Sequence, residues 1–228
     1  MQTSTPETAY PETPGTYDLT TQTEAGQTVQ YTVRIPPSYT GDAALPVILG
    51  LHFGGPASAF YGRVFLSLIP EPGLGDLAAI VVAPTTYTRD WTTPEGEADA
   101  WAALAAVEGA LRVDTSKRVV MGYSLGGIGT WHFASAFRDR FMAAIPIAGA
   151  PRQADLNLLR DLPLYVIHSQ ADRVVPIEGD EAAVAQLRQW GAPVEFAALR
   201  EGDHFDYRLV VAELKQVARW LEQLWSQS

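Results

Sequence analysis

Gly122-Tyr123-Ser124-Leu125-Gly126 lies between an apolar run, Arg118-Val119-Val120-Met121, and a helix-compatible stretch over 127–137. A Gly-x-Ser-x-Gly pentapeptide between a strand and a helix is the sequence form of a nucleophile elbow, a turn tight enough to hold its serine in a strained backbone conformation. Gly122 and Gly126 are expected to be glycine because Cβ atoms two residues before and after the serine would collide. Such a turn projects Ser124 Oγ from the sheet edge and aims the Leu125 N–H at the place where a substrate oxyanion would form. The pentapeptide alone is a weak signal; its strand–turn–helix setting carries the reading.

Outward from the elbow, short apolar runs alternate with helical patterns. Runs 17–23 and 29–35 read as a hairpin around Glu24-Ala25-Gly26-Gln27, closed by Pro36 and Pro37. Further strands are expected at 46–51, 79–83, 117–121, 143–148, 164–168 and 194–199. Helices are expected at 97–111, 127–137, 178–190 and 205–223, the last with Leu209, Val210, Leu214, Val217 and Leu221 on its apolar side. This alternation predicts an α/β fold, a mostly parallel central sheet covered by helices on both faces, with the antiparallel hairpin at one edge. Residues 149–163, with Leu156, Leu158 and Leu159 at helical spacing, leave room for one short connecting helix and no lid domain. Residues 16–228 read as a single domain, and 1–15, rich in Thr, Pro and Glu, as a flexible leader.

In open sheets of this kind, ligands bind beyond the carboxyl ends of the strands. The loops that matter therefore begin at His52, Pro84, Ser124, Ala148, Ser169 and Arg200. A serine hydroxyl needs a base to take its proton, and the base needs an acid to fix its tautomer. Asp172 follows the 164–168 strand and His204 follows the 194–199 strand, which gives the chain order Ser, Asp, His of the elbow-bearing hydrolases. Asp203 and Asp206 flank His204 and compete as orienting acids; Asp172 is preferred because its loop follows the preceding strand. Activity is expected to rise with pH as His204 loses its proton.

A second oxyanion donor is expected in His52-Phe53-Gly54-Gly55: the Gly54 N–H, with Gly55 and Phe53 as alternatives. Phe53, Tyr87 and Trp91 are the candidate substrate-binding residues, the last two as an aromatic wall after the 79–83 strand. His52, His168 and His132 read as structural. No ligand spacing for a metal is present, and no cofactor is expected.

Composition narrows the function classes. A hydrophobic content of 47% fits a globular chain, and no apolar run reaches membrane-span length. A formal charge of −10 argues against nucleic-acid or anionic-membrane partners. With no cysteine, disulfides, thiolate catalysis and thiolate metal sites are excluded together. The N-terminus has neither a basic n-region nor an apolar h-region. An exported protein whose signal was trimmed and a start Met supplied is favoured over a cytoplasmic one; oligomeric state is not readable.

From Ile35 to about Leu224 the chain resembles the lidless α/β-hydrolases of the bacterial carboxylesterase, phospholipase/carboxylesterase and dienelactone-hydrolase-like group. The resemblance rests on Ile35-Pro36-Pro37-Ser38-Tyr39, Leu51 to Gly55, Gly122 to Trp131, His168 to Pro176 and Gly202-Asp203-His204. It implies Ser124 as nucleophile, Asp172 as acid, His204 as base and a small-molecule ester as substrate. One departure is that the group commonly has His-Gly where this chain has His52-Phe53. The expected reaction is hydrolysis of short-acyl or aryl carboxylic esters through an acyl-enzyme. The alternatives on the same triad are a feruloyl esterase-like aromatic-ester hydrolase, a thioesterase or a small peptidase, and, in another class, a non-catalytic binding protein.

Overall fold

The computed structural model describes residues 10–55 and 58–227. Eight strands form one sheet in the order β1-β2-β4-β3-β5-β6-β7-β8. They span β1 Gly15–Gln22, β2 Thr28–Ile35, β3 Leu45–Leu51, β4 Ile80–Pro84, β5 Val113–Tyr123, β6 Ala143–Ile147, β7 Leu164–Ser169 and β8 Val194–Leu199. β1 runs antiparallel to β2 and β2 antiparallel to β4, and every pair beyond is parallel. The hairpin thus stands at one edge, and its turn is made by Gly26 at φ 81°.

Alternation along the strands divides the core into two layers. Val47, Leu49, Leu51 and Val120 face α3 (Pro94–Ala110), α4 (Leu125–Ala136) and α5 (Glu178–Gln189). Ile48, Val119 and Met121 face α1 (Tyr61–Leu68), α2 (Pro70–Leu74) and α6 (Tyr207–Ser226). On α6 the buried stripe is Val210, Leu214, Val217, Leu221 and Trp225; of the expected residues only Leu209 falls outside it, half-buried at its edge. Each such fully buried aliphatic side chain is worth about 1.5–3 kcal/mol.

Three differences from the sequence reading have local causes. α3 begins at Pro94 rather than 97, because Thr93 caps it through Gly96 N–H and Pro94 takes the first turn. α1 and α2 were not expected; Phe60 enters α1 in the left-handed region, and Pro70 and Gly73 break the apolar period of α2. Leu156–Leu159 form a single 3-10 turn capped by Asp155, a shorter connection than a helix. Of the leader 1–15, residues 1–9 lie outside the described residues; Tyr10 packs on the core near Tyr31, and Gly15 already belongs to β1.

Candidate active site

Ser124 occupies the turn between β5 and α4 with φ 57° and ψ −114°, a conformation that costs a residue with a Cβ about 1–3 kcal/mol. Its N–H donates to Ile147 O at 2.8 Å and its carbonyl accepts from Ile128 N–H at 2.9 Å, so the turn is fastened on both sides. The expected crowding between the two glycines is found from Gly122, though against backbone rather than a Cβ, and Gly126 has a further reason. A Cβ on Gly122 would strike the Gly126 carbonyl, and one on Gly126 would strike the Leu51 carbonyl. They let the start of α4 close directly onto the end of β3, which brings the elbow against the loop beginning at His52.

His204 Nε2 lies 2.9 Å from Ser124 Oγ, and His204 Nδ1 lies 2.5 Å from Asp172 Oδ2. Asp172 Oδ1 accepts the N–H groups of Val174 and Val175 at 2.8 and 2.9 Å. Burial pushes the Asp172 carboxyl up, but the bonds from His204, Val175 and Val174 outweigh it and hold the group below its ordinary value. Asp203 and Asp206, the rival acids, are engaged elsewhere: Asp203 Oδ1 accepts Phe205 N–H, and Asp206 pairs with Arg208. Two further contacts hold the loops together. The Tyr123 hydroxyl donates to His204 O, and the Ser169 hydroxyl donates to Gly202 O. Desolvation pushes the Tyr123 phenol up, keeping it a donor.

The His52 loop is built around a neutral imidazole. Nε2 accepts the Thr86 N–H at 3.2 Å, so the ring proton is on Nδ1, which donates to Phe53 O at 2.8 Å. A trans peptide points its C=O and N–H to opposite sides, so fixing the Phe53 carbonyl also fixes the Gly54 N–H. Gly54 lies beside Leu125; a Cβ on it would meet the Leu125 Cβ at 3.8 Å. The structure thus juxtaposes Gly54 and Leu125, whereas a side chain at Gly55 would collide with the Tyr61 hydroxyl.

Burial drives His52 from its ordinary 6.5 down to about 4. Between those values the unfolded chain binds a proton that the folded chain refuses, so stability falls as pH drops from 6.5 toward 4. The loss amounts to about 3 kcal/mol. Urea midpoints at pH 7, 5.5 and 4.5 should decline in the native protein and decline less steeply in His52→Gln; equal slopes would refute this.

The aromatic residues need correction. Trp91 is fully buried: its indole N–H donates to His52 O at 2.9 Å and its ring packs edge-on against His52. It supports the His52 loop from beneath and is not a pocket wall. Tyr87 is exposed and donates to Gln30 Oε1 on β2, three places along the sheet from β5. Phe53 stacks on Tyr207 and meets Tyr61 and Tyr123 edge-on, beside His204. Two exposed apolar residues not singled out from the sequence lie next to these positions: Phe205, 64% exposed with its ring against His204, and Val174, 56% exposed two residues past Asp172. Their signal was adjacency to the acid and the base. Among the described residues no cluster of His, Cys, Asp or Glu could hold a metal ion, and no helix is long and apolar enough to cross a membrane.

Comparison with known proteins gives the family and the fold. The model of the dienelactone hydrolase family matches residues 78–205. "Probable feruloyl esterase C" of Aspergillus terreus is 31% identical over 157 residues, 66% of this chain and 57% of its own. The chain therefore spans little more than half the length of that relative. An "Uncharacterized secreted protein" of Arthroderma benhamiae is 29% identical over 141 residues, 54% of this chain and 15% of its own. Among solved structures, a thermostable esterase superposes with TM-score 0.75 at 22% identity, covering 91% of this chain and 62% of its own, and shares the α/β-hydrolase fold. With the elbow, the strand order and the matched segment in agreement, the chain belongs to the dienelactone hydrolase family.

Proposed function

We propose that this protein is a serine hydrolase that cleaves carboxylic esters through an acyl-enzyme, with residues 16–228 acting as one catalytic unit. The observation that carries the reading is the unbroken hydrogen-bond chain from Ser124 through His204 to Asp172, starting on a strained elbow. Ser124 Oγ attacks the ester carbonyl as its proton passes to His204 Nε2. The tetrahedral oxyanion accepts the Leu125 and Gly54 N–H groups. Collapse expels the alcohol, which takes the proton from His204. A water then attacks the acyl-enzyme, giving its proton to His204, and Ser124 leaves with that proton restored. Treatment with a fluorophosphonate followed by mass spectrometry should place one adduct on the Ser124 peptide; an adduct elsewhere overturns the assignment.

Short-acyl or aryl esters are the favoured substrates. The connection between β6 and β7, where a lid would be inserted, contains one 3-10 turn, so a long acyl chain would lie partly in water. Such a chain loses burial worth about 0.8 kcal/mol per methylene. An aromatic-ester reading is supported by the exposed Phe205 ring on His204, by the Phe53–Tyr207 stack, and by the feruloyl esterase name of the relative. Rates on p-nitrophenyl acetate, butyrate, octanoate and palmitate, with methyl ferulate alongside, should peak at the short-acyl or ferulate end. A maximum at palmitate that jumps at substrate aggregation would instead mean a lipase. Export is the favoured location, supported by the secreted relative.

A further inference from the structure

Behind Asp172 lies a second histidine–carboxylate pair that the ester-cleaving steps do not use. His168, at the end of β7, has Nδ1 2.8 Å from Asp180 Oδ2 on α5 and Nε2 2.9 Å from Val175 O. Nε2 also stands 3.4 Å from Asp172 Oδ2. Asp180 Oδ1 accepts the Trp131 indole N–H, from α4, at 2.9 Å. The His168, Asp172 and Asp180 side chains have no exposure to solvent.

Hydrogen-bond chemistry limits the protonation states. A carbonyl oxygen only accepts, so Nε2 must carry a proton for Val175. The Nδ1–Asp180 contact then holds one more proton, which rests on one partner or the other. The charged groups bearing on His168 are Asp180 from α5 and Asp172 from the loop after β7; α4 presents only the neutral indole of Trp131. Two carboxylates against one imidazole favour the proton on the ring. Burial pushes His168 down, and the Asp180 bond and charge more than reverse that, so the net direction is up. Burial also pushes the Asp180 carboxyl up, opposed by the His168 and Trp131 bonds, and it is the second carboxylate, Asp172, that tips the shared proton to the ring.

We propose that His168 is a constant imidazolium, paired with Asp180, that acts as a positioning residue on Asp172 and biases the catalytic pair toward a free base. The inference rests on Ser124, His204 and Asp172 acting as proposed above. Mechanically, one ring ties the Val175 carbonyl, hence the loop presenting Asp172, to α5 and through Trp131 to the helix that begins at the elbow. Electrostatically, the cationic end of the pair faces Asp172 while Asp180 lies on the far side. A cation there stabilises the Asp172 carboxylate and disfavours a proton on His204, so the base is available at lower pH. Other carboxylates near this base are Asp203 and Asp206, whose charges reach Tyr123 beside it and are unaffected by the test below.

Asp180→Asn is the discriminating variant. Its amide oxygen still accepts from Trp131, and its NH2 donates to Nδ1, which leaves His168 neutral with every contact kept. The ascending limb of kcat/KM should move to higher pH by about 0.5 unit, with fluorophosphonate labelling of Ser124 retained at high pH. A purely structural role would lower kcat and leave the limb in place. Nitrogen NMR of the native protein at pH 8 should show both ring N–H protons of one buried imidazolium, absent in His168→Gln. A neutral ring in the native protein, or an unmoved limb in a folded Asp180→Asn, overturns the proposal. Loss of labelling in the native protein would instead overturn the esterase reading on which it rests.

Discussion

Ser124→Ala is expected to lower kcat by roughly four to six orders of magnitude and to abolish fluorophosphonate labelling. The hydroxyl lost is the one hydrogen-bonded to His204 Nε2, and residual turnover would come from the oxyanion donors and binding alone. Alanine keeps a Cβ at φ 57°, so the strain of the elbow stays. Ser124→Gly is equally inactive but removes that Cβ, and should gain about 1 kcal/mol of stability. Ester turnover and urea midpoints of the two variants test both statements. Activity near the native level in either would rule out Ser124 as nucleophile.

Asp172→Asn is expected to reduce kcat by about 10⁴ while leaving the fold intact. The loop dictates the orientation of the amide. Val174 and Val175 present two N–H donors to one side of residue 172, so the amide oxygen must face them. The NH2 then faces His204 Nδ1, which has to give up its proton and accept. The imidazole proton moves to Nε2, pointing at Ser124, and the ring can no longer take the serine proton. Asp203→Asn should be nearly silent, because its side chain accepts the Phe205 amide, a bond the Asn oxygen can also make. If Asp203→Asn were the crippling change, the acid would have been misassigned.

The juxtaposition of Ser124, His204 and Asp172 was legible in the sequence because it depends on local facts, namely residue type, strand end and chain order. The approach of Gly54 to Leu125 was legible for the same reason, Gly54 being a glycine in the loop that follows β3. Trp91 was not, because an aromatic residue after a strand end looks the same in sequence whether it lines a cleft or props one up. What decides is the bond from its indole N–H to His52 O, made across 39 residues. The His168–Asp180 pair escaped notice likewise, with one member on a strand, the other on a helix, and no motif joining them. α1 was hidden by a left-handed Phe60 at its start, a position where neither periodicity nor a capping side chain announces a helix. Strand existence, by contrast, followed from apolar runs that the two core layers bury on both faces.

Sheet order also bears on how the site fails. Ser124 is delivered from β5, deep in the sheet, whereas His204 comes from the loop after β8, the strand at the edge opposite β1. β8 is held by a single neighbour, and apart from Val194 its residues are exposed or half-buried, so its opening is less costly than opening the centre. Fraying from β7 would carry off the loop that holds His204 while Ser124 stayed seated in an intact sheet. On the proposed function, strengthening the β7–β8 margin is expected to prolong activity more than further packing of an already dense interior.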